Sequence, residues 1–266
     1  MQTPQRTRPI PAPRGSDGPA TPADRLGETG PLTPVLSRVP GVPGPSGSAS
    51  VRGLRRVAAD ATAVQGVGAG LALAVADGIG DSADAARAAH VAADVAAAVA
   101  PRVGSFHAVL AAGDAVRADC ATGDTVLVVA AGLPDGGWSV SWVGDSRALL
   151  VTERDTEALT HDHTVAEYFR ERGETPGPRW ENVVTTTVRT ATADQVGTAR
   201  GPAVPGTLVL LSDGIHRTLD PETIGFLVRR GPGPARAARA LVDAALAAGT
   251  RDNATATVVP LPREWR

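Results

Sequence analysis

Lysine is absent from this 266-residue chain, so every basic side chain is an arginine. The single cysteine, Cys120, excludes both an intramolecular disulfide and a cysteine-built zinc site. Aromatic residues make up only 3%, and the core must be assembled mainly from Ala, Val and Leu. An excess of one charge is missing too. With 26 basic against 28 acidic residues the net charge is -2, which gives no bulk electrostatic reason to bind nucleic acid or an anionic membrane. No run approaches about 18 uninterrupted apolar residues, and no apolar stretch follows the early charges, so neither a membrane span nor a secretory signal is expected. A reducing, cytoplasmic setting is the expectation. What is present, 42% hydrophobic and 20% charged residues, is the composition of a globular domain.

Proline is concentrated at one end. Residues 1–52 hold 11 of the 22 prolines, and they show no apolar period. Lost donors and fixed φ deprive such a segment of ladders and of enough burial to offset its ordering entropy. Residues 1–50 are therefore expected to be a disordered, mildly basic tail, and residues 51–266 the folded domain.

Within that domain the run 67–76 ends at Asp77-Gly78 and reads as a buried strand entering a turn. Residues 83–100 contain 11 alanines, with Asp84, Arg87, His90 and Asp94 at helical spacing. A second helix is expected near 102–119, then strands near 124–131, 138–144 and 146–152, and a helix at 163–172. Strands near 183–189 and 206–212 follow, then helices near 221–230 and 234–248 and a last strand at 254–260. Strands in succession imply antiparallel pairing, so the order points to an α+β architecture with helices layered on antiparallel sheets.

Four aspartates share one local setting, the end or start of an apolar strand: Asp60, Asp77, Asp213 and Asp252. A carboxylate there projects from a sheet edge, and a neighbouring Gly lets backbone approach whatever it holds. Clustered hard oxygens suit Mg²⁺ or Mn²⁺. Each Asp-Gly taken singly is also ordinary turn chemistry.

Taken together, Arg55-x-x-x-x-Asp60, Val75-Ala-Asp-Gly-Ile-Gly80, Trp142-Val-Gly-Asp-Ser-Arg147, Leu159-Thr-His-Asp-His163, Leu211-Ser-Asp-Gly214 and Arg251-Asp-Asn-Ala-Thr255 form a set. In order and approximate spacing the set resembles the metal-dependent protein phosphatases of the PPM (PP2C-like) family, bacterial type, over about residues 51–260. The resemblance implies a four-layer αββα sandwich, two central and mainly antiparallel sheets flanked by helices, with two Mn²⁺ or Mg²⁺ ions in a cleft at one sheet edge. By motif position Asp77 would bridge the ions, with the Gly78 carbonyl on one of them. Asp213 and Asp252 would ligate the other, and Asp60 would act directly or through a water. Arg55 would bind phosphate, and Asp145 would help Asp213 hold a weaker third ion, although a tight turn wants Gly144-Asp145 in any case. The implied activity is hydrolysis of phosphoserine and phosphothreonine in proteins by a metal-activated water. The implied partners are a phosphorylated protein and a cognate kinase, with neither nucleic acid nor membrane.

The chain departs from the family pattern at several places. Ala58 and Ala59 stand where a polar residue and Glu usually precede the first Asp. An outer carboxylate is therefore missing, and a non-catalytic pseudophosphatase of the same fold is the alternative reading. A third reading is a scaffold engaged through the tail. Asp81 reads as a helix N-cap or an added ligand, with capping preferred because a helix starts there. Ile79 supplies no acid where many relatives carry His, and His216 is expected at the surface or as a cap. His161 and His163 are not expected to bind metal, and Cys120 should be structural. Residues 153–201 are expected to form a variable flap beside the cleft.

Overall fold

The computed structural model describes residues 46–67 and 70–261; the expected tail, up to residue 45, lies outside them. Among the described residues, ten strands form two antiparallel sheets of five. The first runs β1 (Gly47–Val51), β10 (Ala254–Leu261), β9 (Gly206–Leu211), β6 (Arg147–Val151), β7 (Thr156–Ala158). The second runs β2 (Asp60–Val67), β3 (Gly70–Gly78), β4 (Thr125–Gly132), β5 (Trp138–Val143), β8 (Gly197–Gly201). The helices are α1 (Ala83–Asp119), α2 (Val165–Arg170), α3 (Asp213–His216), α4 (Pro221–Arg230) and α5 (Pro234–Ala247).

Strand alternation builds the layers. On β3, Ala72, Ala74 and Ala76 face the alanine stripe of α1, while Leu71, Leu73 and Val75 point the other way into the space between the sheets. Small residues on both sides let helix and sheet approach closely. On β9, Leu208 and Leu210 meet the β3 set from the opposite sheet, and Val209 and Leu211 turn outward to α5 with Leu241 and Val242. The order is therefore helix, sheet, sheet, helix. It is an α+β sandwich.

Helix α1 meets the requirement for a bilayer span by length and mean hydropathy. In this fold, however, one face of it, the stripe of Ala88, Ala89, Ala92, Ala93, Ala96 and Ala97, is buried with the β3 and β4 residues. The helices expected at 83–100 and 102–119 both form, and α1 is the pair of them joined across a kink at Gly104 (φ 80°, ψ 166°), just past Pro101.

The strand expected near 183–189 does not form. Beyond one antiparallel bridge between Val184 and Thr164, its backbone bonds scattered partners: Thr185 N–H donates to the His163 carbonyl and Val188 N–H to the carbonyl of Thr125 at the start of β4. The edge strand is β8, whose Gly-Thr-Ala-Arg-Gly carries little β propensity. It is selected by shape, because a Cβ at Gly197 would lie 2.3 Å from the Trp142 ring. Strand β1 likewise takes residues 47–50 from the span expected to be tail, held by the β10 ladder and by the Ser48–Thr257 and Ser50–Thr255 hydroxyl bonds. The span 153–201 contributes β7 to one sheet and β8 to the other.

Candidate functional site

The antiparallel register of β2 and β3 sets Asp60 opposite Asp77. The other sheet brings the remaining acids. Ser212 N–H donates to the Thr255 carbonyl at 3.0 Å, joining the end of β9 to the start of β10. Gly214 is pressed so close to the next loop that a Cβ there would lie 2.0 Å from the Asn253 carbonyl oxygen, so Asp213 and Asp252 are neighbours by packing. The two sheets are joined by Ser212, whose hydroxyl donates to Asp60 Oδ2 at 2.7 Å and accepts from Thr255 N–H at 2.9 Å.

Asn253 organises the loop that carries Arg55. Its Oδ1 accepts from Ala59 N–H at 2.7 Å, and its Nδ2 donates to the carbonyls of Arg52 at 2.6 Å and Val57 at 3.2 Å. Leu54 N–H adds a bond to the Arg251 carbonyl. Arg55 Nη2 then donates to Asp252 Oδ2 at 2.5 Å. The backbone at Ala59 is thus held by Asn253 and by Gly78 N–H, which donates to the Ala59 carbonyl at 3.1 Å.

Arg55, Asp77, Gly78, Asp145, Asp213 and Asp252 all line one cleft of about 420 Å³, and Asp60 lies buried beside them. Crowded carboxylates resist ionisation. Burial first, then the charges of Asp60 and Asp213, hold Asp77 well above the carboxylate range. Burial raises Asp60 to about 6, against hydrogen bonds from Thr255 and Ser212. Asp213 is raised to about 7 by burial and by the charge of Asp145. The Arg55 guanidinium is raised, chiefly by its bond to Asp252.

The donor set fits hard divalent cations. Asp60 Oδ1 and Asp213 Oδ1 are buried without a hydrogen-bond partner, and the carboxylates repel one another where a cation would relieve them. Among the described residues no three His, Cys, Asp or Glu side chains stand close enough together to hold one metal ion between them. The set therefore suits ions that take one or two carboxylates each and keep waters.

Sequence reasoning missed Arg217. Its Nη2 lies 2.5 Å from Asp145 Oδ2 and its Nε 3.1 Å from Asp213 Oδ2, and Nη1 donates to Asn182. The available signal was local, an arginine four residues after Asp213 on a helical turn. Asp145 is buried, which raises its pKa, and Arg217 opposes that rise.

Other expectations change. His216 is buried rather than at the surface. Its Nε2 donates to the Asp145 carbonyl at 2.8 Å, Nδ1 has no partner, and burial lowers its pKa to about 3, so the ring is neutral. Asp81 does not cap α1; Ser82 does, accepting from Ala85 N–H. Asp81 instead accepts from Val57 N–H at 2.8 Å and Arg56 N–H at 3.0 Å. Arg147 holds Asp162 through two bonds of 2.7 Å, tying the Gly144–Arg147 and Leu159–His163 segments together. His163 Nδ1 accepts from Gly144 N–H and is lowered by burial. Cys120 is a buried free thiol.

No protein-family model matches the chain. Protein phosphatase 1K, mitochondrial, of Xenopus laevis is 30% identical over 169 residues, 55% of this chain and 44% of its own length, so the chain spans less than half of that relative. Among solved structures, the PPM Ser-Thr phosphatase MsPP from Mycobacterium smegmatis, in complex with cacodylate, is 27% identical with a TM-score of 0.68, covering 82% of this chain and 98% of its own. PppA from Pseudomonas aeruginosa is 26% identical at a TM-score of 0.66, covering 80% and 95%. The catalytic domain of the serine threonine protein phosphatase PstP, solved with two manganese ions, is 23% identical at 0.68, covering 80% and 96%, a likeness of fold.

Proposed function

We propose, for a chain that by fold and similarity stands with the bacterial PPM serine/threonine phosphatases, that it hydrolyses phosphoserine and phosphothreonine in a protein substrate. The observation that supports this reading is the gathering of Asp77, Asp213 and Asp252 in one cleft with Arg55 at its side. Two Mn²⁺ or Mg²⁺ ions would be held by Asp60, Asp77, the Gly78 carbonyl, Asp213 and Asp252. When bound, such ions neutralise phosphoryl oxygens and lower the pKa of a water.

The chain's own residues do the rest. Asp60 and Asp77 would hold the cations as carboxylates, without the protons their surroundings otherwise favour. Arg55 uses Nη2 on Asp252 and turns the remainder of a planar donor fork to the cleft, where it would receive phosphate oxygens. Ser212 orients Asp60, and Asn253 holds the Arg55 loop. His216 is buried behind Asp145 with a neutral ring and does not serve the leaving group, and Asp77 and Asp213 would be occupied in holding the ions, so solvent would protonate it. A serine/threonine kinase must supply such a substrate, and a free Cys120 agrees with the cytoplasm.

The test is hydrolysis of p-nitrophenyl phosphate and a phosphothreonine peptide with and without Mn²⁺. Turnover that needs Mn²⁺ and is lost in Asp77→Ala and Asp213→Ala is expected; folded protein without metal-dependent turnover overturns the reading. Ala58 and Ala59 favour the second reading, a pseudophosphatase that binds phosphoproteins. Titration calorimetry separates the two, because tight Mn²⁺ binding is expected only of the enzyme.

A further inference from the structure

We propose that the Arg217 guanidinium is the resident cation of the Asp145–Asp213 pair and keeps a divalent ion out of it. The inference rests on the phosphatase reading only for the naming of the neighbouring ion sites. Its basis is geometry: Arg217 Nη2 contacts Asp145 Oδ2 at 2.5 Å, and Nε contacts Asp213 Oδ2 at 3.1 Å. The third nitrogen, Nη1, donates to Asn182, so all three reach a partner.

The place that the family resemblance would assign to a third ion does not fit one. A cation entering there must displace a charge that cannot be neutralised by deprotonation. It must also break a bond to a carboxylate, Asp145, that is 4% exposed. Arginine therefore supplies the positive charge permanently, whatever the concentration of metal. It also anchors Asn182, which lines the cleft from the 153–201 span, to the acids on its floor. Arg217 is a positioning residue: it leaves Asp213 Oδ1, which has no hydrogen-bond partner, to be aimed at an ion on the other side.

The test counts bound Mn²⁺ by electron paramagnetic resonance of the free ion at neutral pH, in the full chain. Arg217→Ala is expected to bind one more ion than the wild type, more weakly than the others, and Asp145→Asn to bind the same number as the wild type. Equal counts in the wild type and Arg217→Ala overturn the proposal. So does the loss of an ion in Asp145→Asn, which makes Asp145 a ligand. The Asp145→Asn arm decides the matter if Arg217→Ala does not fold. A wild type that binds no Mn²⁺ sinks the metal-dependent phosphatase reading, while an ion gained by Arg217→Ala in that case still supports the role of Arg217.

Discussion

Asp60 and Asp77 stand opposite one another in the β2–β3 ladder, two carboxylates on the same face of one antiparallel pair. Neither is offset by an arginine of its own; the ion pairs of the cleft go to Asp252, Asp145 and Asp213. Burial therefore favours a proton on each, helped on Asp77 by the charge of Asp60 and on Asp60 by that of Asp252. A divalent cation would take the place of those protons.

This relationship sets the pH dependence of the ion-free protein. Asp60 at about 6 and Asp213 at about 7 lie above their ordinary value of 3.8, so between these limits the folded protein binds more protons than the unfolded chain. Their contribution is fully present below about pH 4 and is lost as pH rises through 6 and 7. Urea denaturation in EDTA should show this fall, and Asp213→Asn should flatten it. Mn²⁺ should stabilise most at the higher pH and release protons, which calorimetry in buffers of different ionisation enthalpy would count.

Gly214→Ala tests the packing that brings two acids together. The new Cβ would lie 2.0 Å from the Asn253 carbonyl oxygen, so the Asp213 and Asp252 loops must part. A destabilisation of about 2–4 kcal/mol is expected, with weakened Mn²⁺ binding. The urea midpoint and a metal titration measure the two effects.

The Arg147–Asp162 pair is a structural tie between two of the sequence segments and stands apart from the cleft lining. Arg147→Ala should cost about 3 kcal/mol, because it leaves Asp162 largely buried and unpaired. The double variant with Asp162→Ala should cost less than the sum of the single ones. Mn²⁺ affinity should stay close to that of the wild type, as titration calorimetry would show.

Asp81 and Ser82 separate two roles that adjacent residues could have shared. Asp81→Ala releases the Arg56 and Val57 amides beside Arg55, so KM for a phosphopeptide should rise roughly tenfold with a smaller change in kcat. Ser82→Ala removes the α1 cap and should cost about 1 kcal/mol without moving KM. Steady-state kinetics and thermal melts on both variants check the contrast.

Much of the site could be read along the chain. An apolar run stopped by Asp-Gly states its own ending, and alternation along β3 and β9 states which residues face which layer. Residue type and neighbours in sequence are sufficient for that, because strand period and turn chemistry act over a few residues.

Other features have no such local source. Asp145 lies 72 residues from Arg217, and its partner is chosen by the packing of one sheet's loops against a helical turn. His216 looks like a surface histidine until the fold buries it under Asp145, and β8 is a strand because glycines admit two tryptophan rings. The β-branched run at 183–188 has the composition of a strand, yet its donors go to separate partners, His163 and Thr125, rather than along one neighbouring strand. Burial and the identity of a charge's partner belong to segments distant in sequence. They exist only once the chain has folded, and here they determine which acids lack a counter-ion.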